Sequence, residues 1–212
     1  YPSADTRDTA VTFRRVDGVY AKGRSRTNEI EAKAVVAEVV RRLRDPDLSR
    51  LSIGVVTLNA EQQRLIEDLL DQERRADPDL EPFFRGGEGP TPTERREPVF
   101  VKNLETVQGD QRDVILLSVG YGPTEPGART MSMNFGPLNR QGGQRRLNRA
   151  ITPATTEGVV FASFDAGMID LARTSAEAVK DLKHYIDFAA RGPVALGEAI
   201  PAVGSNGYGS HF

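Results

Sequence analysis

Hydrophobic and polar positions follow two rhythms along the chain. Residues 11–16 (Val-Thr-Phe-Arg-Arg-Val) alternate every second position, the pattern of a half-buried strand, and Asp17-Gly18 turns the chain after them. From Asn28 the period lengthens. Ile30, Val35, Val36, Val39, Val40 and Leu43 share one helical stripe, Asn28 and Glu31 have the spacing of an N-terminal cap, and Asp45-Pro46 stops the helix. Residues 53–58 form a continuous apolar run, as in a strand buried on both faces. Asn59, with Gln62 three residues on, caps a second helix with Leu65, Ile66, Leu69 and Leu70 on its stripe. Both rhythms fail over 77–98, where Gly86 to Pro92 predicts a mobile surface loop without regular structure. Residues 99–102 and 114–119 are two more strands. A second Gly/Pro-rich loop, 120–136, leads to a basic helix around 144–150, and 159–164 is the last buried strand. The terminal helix begins at Thr174, with Glu177 as its capping partner, and buries Val179, Leu182, Ile186 and Ala189 before Gly192-Pro193.

Strands alternating with amphipathic helices predict an α/β fold: one parallel sheet with helices on both faces. In such sheets ligands gather beyond the carboxyl ends of the strands, here after Thr57, Lys102, Val119 and Phe164. There is no internal repeat and no heptad pattern.

Composition narrows the chemistry. The chain has 212 residues, 28 basic and 30 acidic, for a net charge of −2, so nucleic acid cannot be held by bulk charge and any such site must be local. The absence of cysteine excludes disulfides, thiolate metal sites and a cysteine nucleophile, and two histidines, His184 and His211, exclude a histidine-rich metal site. No apolar run approaches the ~20 residues of a membrane span. The start, Tyr1-Pro2-Ser3, is neither an initiator nor a signal peptide, so a cytoplasmic fragment of something longer is expected. Residues 1–10 then form a lead-in, 11–191 the domain, and 192–212 a linker.

Three segments carry candidate chemistry. Gly18 to Ser25 has the glycine spacing of a phosphate-binding loop, but Arg24 stands where the lysine belongs and the preceding strand is charged, so it reads as a glycine-rich turn. No strand ends in the paired carboxylates that hold magnesium. Residues 103–113 (Asn-Leu-Glu-Thr-Val-Gln-Gly-Asp-Gln-Arg-Asp) place polar groups and a glycine between two strands. Residues 136–152 carry Arg140, Arg145, Arg146 and Arg149 on or beside a helix opened by Gly142-Gly143, a set of guanidinium groups and free helical N–H groups suited to phosphate.

In their order and spacing these segments resemble the second RecA-like domain of superfamily 1 helicases, in the branch of the nonsense-mediated-decay helicases and large bacterial multidomain helicases. Residues 25–32 match that branch's helix-start motif, 53–63 its motif IV, 106–118 motif V and 136–152 motif VI. The resemblance implies a RecA-like sheet without its own P-loop. It further implies ATP and Mg2+ held mostly by an upstream RecA-like domain, a single strand of DNA or RNA lying across both domains, and a nuclease-like domain downstream. By position, Gln62, Gln63, Gln108, Gly109, Gln111, Arg145 and Arg146 would face the ATP cleft, whereas Thr57, Asn59, Asn103, Thr106 and Arg140 would line the nucleic-acid track.

The chain departs from the pattern at three positions. The arginine finger of motif VI is Pro153, a small apolar position is Arg149, and a glutamate of motif V is Gln111. Arg149 lies one helical turn before Pro153 if the helix runs that far, and would then reach the phosphate in place of the finger. The alternative is a degenerate domain that binds or docks without hydrolysing ATP.

Overall fold

The computed structural model describes residues 9–88 and 95–191. Along the chain run β1 (Ala10–Arg15), α1 (Glu29–Arg44), β2 (Ile53–Thr57), α2 (Ala60–Ala76), α3 (Glu81–Arg85), β3 (Gly87–Glu88), β4 (Arg95–Arg96), β5 (Phe100–Asn103), β6 (Arg112–Ser118), α4 (Gly143–Ile151), β7 (Ala154–Ala162) and α5 (Glu177–Arg191). The main sheet has the order β1-β7-β6-β2-β5, and every pairing in it is parallel.

The alternation that singles out buried strands also sorts the core. Val55, Val114, Leu116, Val159 and Phe161 point to one face and meet Val35, Val39 of α1 and Ile66, Leu70 of α2. Their neighbours Val56, Ile115, Leu117, Val160 and Ala162 point to the other face, towards Leu147 and Ala150 of α4 and Val179, Leu182 and Ile186 of α5. Such two-sided burial is what continuous aliphatic strands require. The order explains the layering. The chain steps in one direction through α1 and α2 from β1 to β2 to β5, then returns through β6 to β7. Reversing direction with crossovers of one hand puts the connections on opposite faces. This is the α/β arrangement expected from the sequence, one parallel sheet with helices on both faces.

The caps follow the sequence at two helices. Asn28 accepts from the Glu31 amide and Asn59 from the Gln62 amide. Thr174 instead accepts from the Ala176 amide at 3.1 Å, and α5 begins at Glu177. The 77–98 segment is more regular than its composition suggests. Pro78–Leu80 and Glu81–Arg85 are helical, and Gly87–Glu88 pairs antiparallel with Arg95–Arg96. The expectation of an irregular loop from Gly86 onward is thus corrected for those residues. Residues 89–94, the 1–8 lead-in and the 192–212 linker lie outside the described residues. Among the described residues, no helix is long and apolar enough to cross a membrane.

Candidate functional site

The carboxyl ends of β2, β6 and β7 meet over a buried polar cluster. Glu31, on the first turn of α1, has no exposure. One of its carboxyl oxygens accepts from Ser118 Oγ (2.8 Å) and Gly120 N (2.7 Å), the other from Ser163 Oγ (3.1 Å) and Asn28 Nδ2 (3.4 Å). Gln62, from α2, donates to Ser118 Oγ and to the Asn28 carbonyl, and accepts from the Asn28 amide. Asn28 Nδ2 also reaches Ser163 Oγ at 2.8 Å and the Gly120 carbonyl. Gly18 closes the group, since a Cβ there would strike the Asn28 side chain and Ser163 Oγ. Where a parallel sheet leaves a strand-end crevice between β6 and β2, this chain fills it with its own side chains. Burial pushes the Glu31 carboxyl up to about 7, against the donors of Gly120, Ser118 and Ser163 that favour its charged form.

The candidate residues divide by accessibility. Thr57 and Gln62 are wholly buried, and Asn59 and Asn103 nearly so. Thr57 Oγ1 donates to the Asn59 carbonyl, and Asn59 Nδ2 donates to the Arg26 carbonyl. Asn103 Nδ2 donates to Gln63 Oε1 at 2.7 Å, while Gln63 Nε2 donates to Glu67 and to the Val101 carbonyl. The family resemblance puts Gln62 and Gln63 on a nucleotide surface and Thr57, Asn59 and Asn103 on a nucleic-acid surface. All five sit together at the carboxyl edge, and Gln63 and Asn103 bond directly. Thr106 is exposed, and its Oγ1 bonds back to the Asn103 amide.

The 104–111 connection joins two parallel strands, so it must return from the carboxyl edge to the amino edge. Leu104 and Val107 pin it to the α4 face. Gln108, Gly109 and Gln111 are exposed, and Gly109 adopts φ +66° with open space where a Cβ would stand. Asp110 ties the loop to Lys102 at 2.8 Å. Gln111 directly precedes β6 and therefore lies at the amino edge, away from the edge where the strand-end rule directs a ligand.

Gly142, at φ +83°, and Gly143 let α4 begin hard against the 136–139 turn, where a Cβ on Gly143 would strike the Leu138 carbonyl. An open cleft of about 870 Å³ is lined by Arg140, Gln141, Arg145, Arg146 and Arg149 and by residues 174–178 ahead of and within α5. Arg146 pairs with Glu105 at 3.0 Å and donates to the Gln141 carbonyl. Arg140, Arg145 and Arg149 are exposed and make no hydrogen bond or ion pair with the described residues. The helix ends at Ile151 with Thr152 as its cap, and Pro153 is buried at the start of β7, its carbonyl accepting from the Arg112 amide. The helix therefore does not run on to 153, and Arg149 and Pro153 do not share one helical face. Among the described residues no group of three or more His, Asp or Glu could hold a metal ion.

The polar cluster is the part the sequence hides. Asn28, Glu31 and Gln62 read as ordinary helix-start residues, and only the pairing of distant strands brings Ser118 and Ser163 onto them.

A sequence profile of the AAA domain family matches residues 5–164. An uncharacterized ATP-dependent helicase of Mycoplasma genitalium is 37% identical over 139 residues, covering 66% of this chain and 11% of the relative. Its homolog in Mycoplasma pneumoniae is 33% identical over 148 residues, with the same coverage. The chain thus spans about a tenth of the length of the curated relatives it matches. The solved C-terminal domain of a possible DNA helicase from Lactobacillus plantarum shares 12% identity over 73% of each chain, with a TM-score of 0.40, a likeness too low to add to the fold described above. The chain belongs to the AAA domain family.

Proposed function

We propose that this chain is the C-terminal motor domain of an ATP-dependent superfamily 1 helicase. In this reading it completes an ATP cleft and a single-strand track together with a first RecA-like domain outside the 212 residues. The observation that carries the reading is the row of unpaired guanidinium groups, Arg140, Arg145 and Arg149, beside the glycine-opened start of α4. Several other arginines of the domain meet carboxylates: Arg14, Arg41 and Arg42 share Glu38, Arg44 meets Asp77, and Arg74 meets Glu81. Guanidinium groups left without carboxylates in an open cleft suit phosphate, which takes them as paired donors. Bound ATP supplies the bond that is cleaved. The part assigned to this chain is to place Arg145, Arg146 and Arg149 against developing negative charge. Magnesium is assigned to the first domain, and a downstream nuclease-like domain is carried by the family resemblance alone.

The test is the ATPase rate of the full-length protein with and without single-stranded DNA or RNA. Stimulation is expected, and Arg149→Ala should lower kcat by about 10²-fold or more, as loss of a transition-state arginine does. Unchanged turnover in that variant overturns the role given to Arg149.

One observation favours a second reading, a domain that binds nucleic acid without hydrolysis: the finger position is a buried proline. That reading predicts single-strand affinity with no turnover in the wild-type protein.

A further inference from the structure

The loop between β1 and α1 has the glycine spacing of a phosphate cradle, but several of its backbone amides are already engaged. The Ala21 amide donates to the Thr27 carbonyl, Lys22 to Tyr20, and both Arg24 and Arg26 to Ala21, so these N–H groups are spent inside the loop. What the loop offers outward is side chains. Lys22, Arg24 and Arg26 are all exposed and make no ion pair or hydrogen bond through their side chains with the described residues. They alternate along a closed turn that its own hydrogen bonds hold in one shape.

Two further observations show how the turn is held. Arg26 has φ +59°, a left-handed backbone that glycine adopts freely and arginine does not. It is kept there by its amide bond to Ala21 and by Asn59, whose side-chain amide donates to its carbonyl at 3.0 Å. Asn28, two residues on, is locked in the buried cluster with Glu31, Gln62 and Ser163. The second observation is aromatic. Tyr20 is half-buried, packs its ring 4.9 Å from Tyr121 and donates its amide to the Pro123 carbonyl. Tyr121 packs in turn on Phe135, and Phe135 on Phe164. Tyr20 is thus the outermost ring of a ladder rooted in the core. Tyr121 lies within reach of the charges of both Arg26 and Arg140, which joins the loop to the arginine cleft on one edge of the sheet; Glu61 is the acid on the same side.

We propose that the Tyr20–Thr27 loop is a single-strand contact in which Lys22, Arg24 and Arg26 take successive phosphates and Tyr20 offers its ring to a base. This rests on the reading of the domain as a nucleic-acid motor and adds to an expected track of which Thr57, Asn59 and Asn103 are buried and only Thr106 and Arg140 are exposed. A run of cations with one aromatic platform fits a flexible strand of phosphates and π-faces without sequence preference. A lone nucleotide would need a run of consecutive backbone amides, and those of Ala21, Lys22, Arg24 and Arg26 are already taken.

The test measures binding of fluorescent oligo-dT and oligo-U by the full-length protein across a salt series. One variant combines Lys22→Ala, Arg24→Ala and Arg26→Asn, asparagine being tolerant of the left-handed backbone. It should weaken binding at least tenfold and reduce the slope of log affinity against log salt by about 2, three phosphates at about 0.7 each. Tyr20→Leu should weaken binding about fivefold or more, whereas Tyr20→Phe should stay within twofold of wild type. Thermal melts confirm that each variant is folded. An unchanged salt slope, or wild-type affinity in Tyr20→Leu, overturns the proposal. If single strands still stimulate the ATPase of the loop variants to the wild-type level, the motor reading stands and the loop leaves the track. Capture of the wild-type protein by phosphatidylserine vesicles, with no retention of either oligonucleotide, assigns the loop to a membrane surface and also overturns it.

Discussion

Glu31 receives four donors in a place that water does not reach, so two effects act on its proton in opposite directions. Burial disfavours the charge and the donors favour it, and burial wins, with the carboxyl pushed up to about 7. The folded state therefore binds this proton more tightly than the unfolded chain, whose glutamates titrate near 4.3. Protonation favours folding, and the contribution is lost as pH rises from about 4.5 to 7, at roughly 1.4 kcal/mol per pH unit. Glu31→Gln keeps the shape but turns an NH2 towards groups that are themselves donors. That should cost about 1–3 kcal/mol at pH 5. Because the amide does not titrate, the gap between wild type and variant should narrow by pH 7.5. Urea unfolding at the two pH values measures it, and a constant gap would show that Glu31 does not titrate in this window.

At the scale of elements, the strands and helices were legible wherever burial imposes a period. The run at 53–58 could only be a strand covered on both faces, and Asn28 and Asn59 announced two helix starts by their spacing to Glu31 and Gln62. Contacts that depend on strand order were not legible. Nothing local places Gln63 against Asn103, forty residues away, or carries Gln111 to the amino edge, because both follow from β5 and β6 lying parallel on either side of β2. The short pairing of β3 with β4 was missed since its glycine-rich composition says loop. The end of α4 shows a different limit: a proline is compatible with the helix's last turn or with the chain past it, and the fold puts Pro153 in the strand junction. The start of α4 gives a prediction of its own. Alanine at 143 gains about 1 kcal/mol of helix propensity, yet its Cβ meets the Leu138 carbonyl, a backbone atom with little room to yield. Overpacking of this kind costs about 1–3 kcal/mol. Gly143→Ala should therefore lower Tm by a few degrees in a thermal melt. A higher Tm would mean that the 136–139 turn gives way and that α4 is not fixed where the arginine row needs it.

Across the whole molecule, α1 ties the sheet together at both of its ends, and the two ends answer oppositely to acid. Near its start Glu31 holds the carboxyl ends of β6 and β7 through Ser118 and Ser163. About two turns later, Glu38 receives Arg14 of β1 at 2.7 Å and Arg41 and Arg42 of its own helix, and Arg42 goes on to Glu157 of β7 at 2.9 Å. Burial alone would raise the Glu38 carboxyl, but the bonds and charges of Arg41 and Arg42 bring it down to about 2. Its contribution is complete above the ordinary glutamate value and is lost as pH falls through about 2. The two groups together place their joint optimum near pH 4.5, with Glu31 eroding stability above it and Glu38 below. Arg42 is 5% exposed and its Nη1 already lacks a partner, so it has no route to water if Glu38 stops binding it. Because Arg42 keeps Glu157, Glu38→Gln should then cost about 1–3 kcal/mol at pH 7.5, the penalty for weakening the buried bonds of Arg42 rather than stranding its charge. The same variant should show a shallower acid limb than wild type between pH 4.5 and 2, because the charge lost there is already gone. Denaturation at pH 3, 5 and 7.5 separates these effects. An acid limb as steep as wild type would mean that carboxylates other than Glu38 hold β1 and β7 to the helix.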